Sequence, residues 1–349
     1  MSRPGLHHGD GPLAEIAFWG LLFLIAWAPL PLASNRPWSM NFLVLIAALL
    51  LFTWACAVLQ RPSLFNVPIS RILVPGIPFL CVLIWSLIQT TSLTPAAWHN
   101  PIWQETAAAL GRPVRGAISI DPAASINATL RLFSYGAVFL IAAQFGRRTS
   151  RARILIWCVA IVTIAYSAYG VAIFYSGNRT ILWFEKWAYL DDLTSTFVAR
   201  ASFGAYAGIG MLTVLALTFD AGTGASERRD RSLGGLLEAL PPSFYLLVIS
   251  VLLLAVTVLL THSRGAVVVT ALGVAVMMVM LIARYRERRR LLLTVSVAMA
   301  IAGFAVLEIS GGGTLGRTLA LAEEGTGRDS IHALTDKAIS ESPSPPESA

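Results

Sequence analysis

The chain has 349 residues, of which 56% are hydrophobic and only 13% are charged. An ordinary soluble domain carries charge on roughly a quarter of its residues, so that class is excluded. The net charge of +7 does not call for nucleic acid as a partner, because the arginines gather in short clusters at the ends of apolar blocks, where membrane topology accounts for them.

Taken in chain order, about nine apolar blocks have the length of roughly twenty residues that carries a helix across a bilayer core. They run from Leu13 to Ala33, Met40 to Leu59, Ile72 to Thr91, Ala128 to Phe145, Ile154 to Ser176, Thr196 to Phe219, Phe244 to Thr261, Ala266 to Ala283, and Leu291 to Ile309. The expected fold is an all-α polytopic transmembrane bundle over residues 1–309, followed by a polar tail over 310–349. Pro29, Pro31, Pro75 and Pro78 fall inside blocks, which membrane helices tolerate because neighbouring groups re-satisfy the freed backbone. Cys56, Cys81 and Cys158 each sit within a block with no disulfide or metal-ligand spacing. The end of the tail, Ser340 to Ala349, is a Pro/Ser-rich stretch too polar to form a core.

The densest basic runs, Arg147 to Arg153 and Arg284 to Arg290, fall on the same side of this layout. Positive residues mark the cytoplasmic side, which sets the N-terminus in the cytoplasm and the tail outside. Arg151 is counted there among the residues on the cytoplasmic side. The longer loops then lie outside, among them Ser92 to Asn127 and the aromatic segment Gly177 to Ser195 with Trp183, Trp187 and Tyr189.

Arg131, Arg200 and Arg264 lie at or just inside block ends, all at the outer face. One such arginine serves as a snorkelling anchor. Three on separate helices at one depth point to a shared anion site, because arginine within a membrane faces a bundle interior or cavity and its planar fork matches phosphate bidentately. The natural ligand is a lipid phosphate or pyrophosphate. His262 shares the short turn Thr261 to Ala266 with Arg264, which makes it either a candidate general base or simply a solvated turn residue. Gly311 to Thr318, GGGTLGRT, is close to a phosphate loop but lacks the preceding strand such a loop requires. Asp191 and Asp192 are read as a solvated loop, since adjacent residues point in different directions.

Two segments resemble the O-antigen ligase and polysaccharide polymerase superfamily of bacterial inner-membrane glycosyltransferases. Ser195 to Tyr206, STFVARASFGAY, is similar to the family pattern G-T-F-x-N-x-N-x-x-A-x-Y, and Ser263-Arg264-Gly265 before a long apolar span is similar to its short signature. Gly327 to Pro343 resembles the amphipathic helix that opens the family's large periplasmic loop. The chain departs from the pattern at Ala199 and Ala201, where the family has asparagines. Beyond Pro343 the family continues with a loop bearing a histidine implicated in catalysis; His332 does not align with it.

The resemblance implies a multi-pass protein of the bacterial inner membrane with a cytoplasmic N-terminus and a periplasmic tail. The implied reaction transfers a glycan from undecaprenyl pyrophosphate to lipid A core or to another polysaccharide chain. The donor bond is already activated, so no cofactor, nucleotide or metal is called for. Arg264 and Arg200, together with Arg131, are expected to hold the pyrophosphate; no residue is assigned as catalytic base. Because the resemblance breaks off after Pro343, the chain as written is expected not to complete transfer alone. The alternative is a non-enzymatic membrane protein, a transporter or flippase-like helper, that holds a lipid-linked phosphate with the same arginines.

Overall fold

The computed structural model describes residues 11–226 and 241–284. The expected ninth span from Leu291 to Ile309, the GGGTLGRT segment, His332 and the tail over 310–349 lie outside the described residues.

Among the described residues the protein is an all-α bundle of nine helices and one small hairpin. In chain order these are α1 (Pro12–Trp27), α2 (Pro37–Gln60), α3 (Ile69–Ile88), α4 (Ile102–Leu110), α5 (Pro122–Gly146), α6 (Thr149–Tyr175), the strands β1 (Thr180–Ile181) and β2 (Phe184–Glu185), α7 (Arg200–Ser226), α8 (Pro242–Leu260) and α9 (Arg264–Arg284). Seven of the helices are long and apolar enough to cross a membrane, and the fold is that of a polytopic membrane protein. The compact unit that contains the site ends at Val267, and the remainder of α9 falls in a second unit.

Proline shortens the first span. The expected helix to Ala33 instead stops at Trp27, because Pro29 and Pro31 lack the N–H that would continue it. Leu32, Ala33 and Ser34 then turn left-handed, with φ of 53°, 54° and 55°, and the Ser34 hydroxyl donates to the Ala28 carbonyl at 2.7 Å. At α5 the helix begins earlier than Ala128, at Pro122. There the Asp121 carboxylate accepts from the Ala124 amide at 2.9 Å, a side-chain N-cap followed by proline in the first helical turn.

The helices pack as neighbours in two groups. In the first, α1, α2 and α5 enclose Phe18, Leu21, Ala47, Leu50, Trp54, Ile141 and Phe145. In the second, α6, α7 and α8 meet over Ala160, Val214, Leu247 and Leu254. Small residues set the spacing: Gly20 lies against Leu50, Gly136 against Phe79 and Gly210 against Thr163, with no space for a Cβ without movement. Lipid tails offer little hydrophobic drive for helix association, so close packing at small residues carries it.

Arg151 has a place that a count of charges does not give. It lies in the first turns of α6, where it is buried, pairs with Glu15 of α1, and stands over the rings of Phe18 and Phe145 at 4.6 and 4.9 Å. Only Arg147 and Arg148 separate α5 from α6, so Arg151 falls on the helix and turns inward.

Candidate functional site

The site lies at the end of the bundle where α6 finishes, α7 begins and α8 turns into α9. The chain leaves α6 through Gly177 at φ 70°, then forms the β1–β2 hairpin with Thr180 paired to Glu185 and Ile181 to Phe184. Leu182 occupies the left-handed region at φ 56° in the hairpin turn. Its amide donates to the Tyr169 hydroxyl at 3.1 Å, which fixes the hairpin to α6. The Arg36 guanidinium, just before α2, stands 5.0 Å from the Trp187 ring centre.

The segment after the hairpin is tied down along its length. The Leu193 amide donates to the Leu260 carbonyl at the end of α8, 3.0 Å away. The Ser195 hydroxyl donates to the Tyr166 carbonyl at 2.7 Å, and a Cβ at Gly170 would meet the Ser195 Cβ at 2.8 Å, so only glycine lets the loop lie this close to α6. Leu193, Phe197 and Phe203 bury themselves in one cluster, with Ala33, Tyr206 and Leu260 against it. That cluster explains the apolar positions in the STFVARASFGAY segment. They are the plug that seats the loop on the bundle.

Asp192 is the centre of the site. Its side chain is 14% exposed; one oxygen accepts from Arg200 at 2.9 Å and the other from Nδ1 of His262 at 2.8 Å. A carboxylate can only accept here, which assigns the hydrogen to Nδ1 and leaves Nε2 of a neutral ring as an acceptor. The Arg200 guanidinium also stands 5.3 Å from the ring centre of Tyr189, within cation–π range. Lys186 donates to the Asp192 carbonyl at 2.6 Å. Burial pushes the Lys186 ammonium below the usual lysine range, against the pull of Asp192 and Asp191.

The α8–α9 turn is equally fixed. The Thr261 hydroxyl donates to the Val258 carbonyl at 2.6 Å and accepts from the Ser263 amide at 3.3 Å, while the Ser263 hydroxyl accepts from the Ala266 amide at 3.4 Å. His262 sits between them at φ 49°, a left-handed conformation rare for a residue with a Cβ. Strain of this kind persists where the surroundings over-determine it, and here two buried hydroxyls do so while the imidazole remains half exposed. Arg264, at the start of α9, is exposed and has no ion-pair or hydrogen-bond partner among the described residues.

The structure thus brings Arg200 and His262 onto one carboxylate, with Arg264 two residues along the same turn. It does not bring Arg131 to them: Arg131 is half-buried on α5, and its Nε lies 2.7 Å from the sulfur of Met40 on α2. Asp192 is the residue the sequence reading missed, having set it in a solvated loop. Only Asp191 behaves that way, in an exposed pair with Arg179 at 3.1 Å. The available signal was charge: a loop carboxylate close in sequence to an arginine at a membrane face is its natural counter-ion.

Compared with protein-family models, with curated proteins and with solved structures, the chain matches none.

Proposed function

We propose that the protein is a glycosyltransferase of the O-antigen ligase and polymerase type, acting at the periplasmic face of a bacterial inner membrane. It transfers a glycan from undecaprenyl pyrophosphate to lipid A core or to another polysaccharide. The observation that carries this reading is the joint grip of Asp192 on Arg200 and His262. Arg200 belongs to the family-like segment Ser195 to Tyr206, and His262 immediately precedes the second, Ser263 to Gly265, so the carboxylate ties the first segment to the turn that carries the other.

In the proposed reaction Arg264 and Arg200 bind the donor pyrophosphate. Arg264 offers a fork without a partner among the described residues, and guanidinium forks match phosphate oxygens in pairs. His262, its Nδ1 held by Asp192, presents Nε2 to the acceptor hydroxyl. The hydroxyl proton passes to Nε2 as the acceptor oxygen bonds to the anomeric carbon. The bond from that carbon to the pyrophosphate oxygen breaks, and its electron pair leaves on the pyrophosphate, where the arginines stabilise the developing charge.

The test uses the full chain purified in detergent. Inorganic pyrophosphate is titrated calorimetrically, and lipid-linked glycan is supplied with acceptor to measure transfer. The resemblance alone led to no catalytic base and no transfer by this chain; with His262 held by Asp192 as the proposed base, the expected result is instead transfer, together with saturable pyrophosphate binding that Arg264→Ala weakens at least about tenfold. Binding without transfer would replace this reading with the non-enzymatic one, and the absence of binding would overturn both.

A further inference from the structure

Asp192 also borders a cavity of about 330 Å³ between the end of α6 and the loop that follows it. This is at the small end of the range of roughly 300 to 1,000 Å³ typical of ligand sites. Its lining is mixed. Phe174 and Leu190 contribute apolar surface, while Asn178, Thr180 and Thr194 contribute an amide and two hydroxyls.

The charges around it cancel. Arg179 and Lys186 line the cavity together with Asp191 and Asp192, so cations and carboxylates balance, and each cation is engaged: Arg179 with the Asp191 carboxylate at 3.1 Å and Lys186 with the Asp192 carbonyl at 2.6 Å. An anion would have to break those contacts. The uncharged groups, in contrast, are idle. Neither the Asn178 amide nor the Thr180 and Thr194 hydroxyls make a hydrogen bond among the described residues. Three uncommitted polar groups lining one cavity are available to a ligand's own hydroxyls.

We infer that this cavity binds a neutral sugar ring, through hydrogen bonds from Asn178, Thr180 and Thr194 and through contact of the ring's C–H face with Phe174 and Leu190. A sugar combines the two chemistries the lining offers, a rim of hydroxyls and apolar faces, and it brings no charge to disturb the ion pairs. The shared wall at Asp192 makes the occupant a neighbour of Arg200. On the function proposed above, on which this identification of the sugar rests, it is the donor unit that adjoins the pyrophosphate.

The test uses the purified full chain with free hexoses and N-acetylhexosamines as probes, observed by saturation-transfer NMR, and inorganic pyrophosphate titrated in parallel. At least one neutral sugar is expected to bind. Thr194→Val, close in shape but lacking the hydroxyl, and Asn178→Ala should each weaken it about tenfold while leaving pyrophosphate affinity within twofold. Circular dichroism and gel filtration of both variants establish that they fold. If no sugar binds the parent chain, or if both variants bind sugar as the parent does, the inference is overturned, whatever pyrophosphate does. If sugar binding responds as expected but pyrophosphate does not bind, the cavity assignment stands and the transfer reading falls.

Discussion

Asp192 and His262 are separated by 70 positions in the chain and joined by a 2.8 Å contact between a carboxylate oxygen and Nδ1. Because the other oxygen of the same carboxylate holds Arg200, one side chain both selects the tautomer of the imidazole and holds the arginine in an ion pair. On the proposed function, pyrophosphate arriving at Arg200 must share that guanidinium with Asp192.

Asp192→Asn therefore separates binding from turnover. Removing a negative charge at a distance of ~7 Å from a bound anion gains about 0.6 kcal/mol even at a water-like dielectric. Pyrophosphate affinity should accordingly rise roughly threefold, most clearly at low salt. Transfer should fall by a factor of about 10² or more, because an amide no longer selects the imidazole tautomer a general base needs. Calorimetry and the transfer assay on the same preparation check both signs. Weakened pyrophosphate binding would mean that Asp192 organises Arg200 rather than competing for it.

Arg131 makes the contrasting case. Its Nε is directed at the Met40 sulfur, and it makes no hydrogen bond or ion pair with Asp192, Arg200 or His262. Arg131→Ala should leave pyrophosphate affinity within about twofold, whereas Arg264→Lys, which keeps the charge and loses the bidentate fork, should weaken it about tenfold. Equal losses in the two variants would restore a site of three arginines.

Orientation can be read with cysteine labels on a cysteine-free background. Ser92 follows α3 and Ser150 begins α6, at opposite ends of spanning helices, and both are exposed. Since Arg147 and Arg148 adjoin Ser150, the positive-inside rule predicts a cytoplasmic location for that end. In intact spheroplasts an impermeant thiol reagent should label Ser92→Cys and spare Ser150→Cys; the reverse pattern would move the Asp192 site to the cytoplasmic side.

The long apolar runs made the spanning helices legible, because a bilayer leaves the backbone of such a run no other way to satisfy its hydrogen bonds. The residues at their ends were harder. Asp121-Pro122 carries a local cap signal, but Ser125 and Asn127 interrupt the apolar run behind it and place the visible start of the span at Ala128. Arg151 was hidden by the run of arginines around it, since a count of charges cannot tell a solvated guanidinium from one turned onto Phe18 and Phe145. Arg200 and Arg264 stood out because arginine near hydrocarbon needs a reason. Asp192 did not: its closeness to Arg200 was the one local sign, and its pairing with a turn 70 residues away has none.

Arg151 itself carries stability rather than binding. Replacing it with alanine removes the ion pair to Glu15 and the contacts with two rings. Glu15 is 38% exposed, so water can recover part of its solvation and the loss is smaller than for a fully buried pair. A cost of about 2 kcal/mol is expected, seen as earlier thermal unfolding in detergent, with sugar and pyrophosphate affinities unchanged below the transition. An unshifted melting curve would show that the pair contributes nothing.

Gly204 provides the sharpest test that the site depends on packing between α7 and the α8–α9 turn. It lies one helical turn beyond Arg200, and a Cβ there would meet the Ala266 Cβ at 2.5 Å and the Thr261 hydroxyl oxygen at 3.0 Å. Neither neighbour is the far end of a flexible side chain. Ala266 is itself a short side chain on α9, and the Thr261 hydroxyl is engaged in fixing the turn. The added atoms must therefore push the start of α7 away from the turn that carries His262. Overpacking of this kind costs about 1 to 3 kcal/mol, and a shift of a few tenths of an ångström already stretches contacts of 2.8 and 2.9 Å to Asp192. Gly204→Val should lower transfer at least about tenfold and Gly204→Ala by less, with helix content by circular dichroism unchanged. As a control, Gly146 has nothing within 4 Å of its Cβ position, so Gly146→Ala should be neutral. Normal transfer by the valine variant would mean that the Asp192 cluster holds together without the close approach, and that Gly204 is there only for the helices.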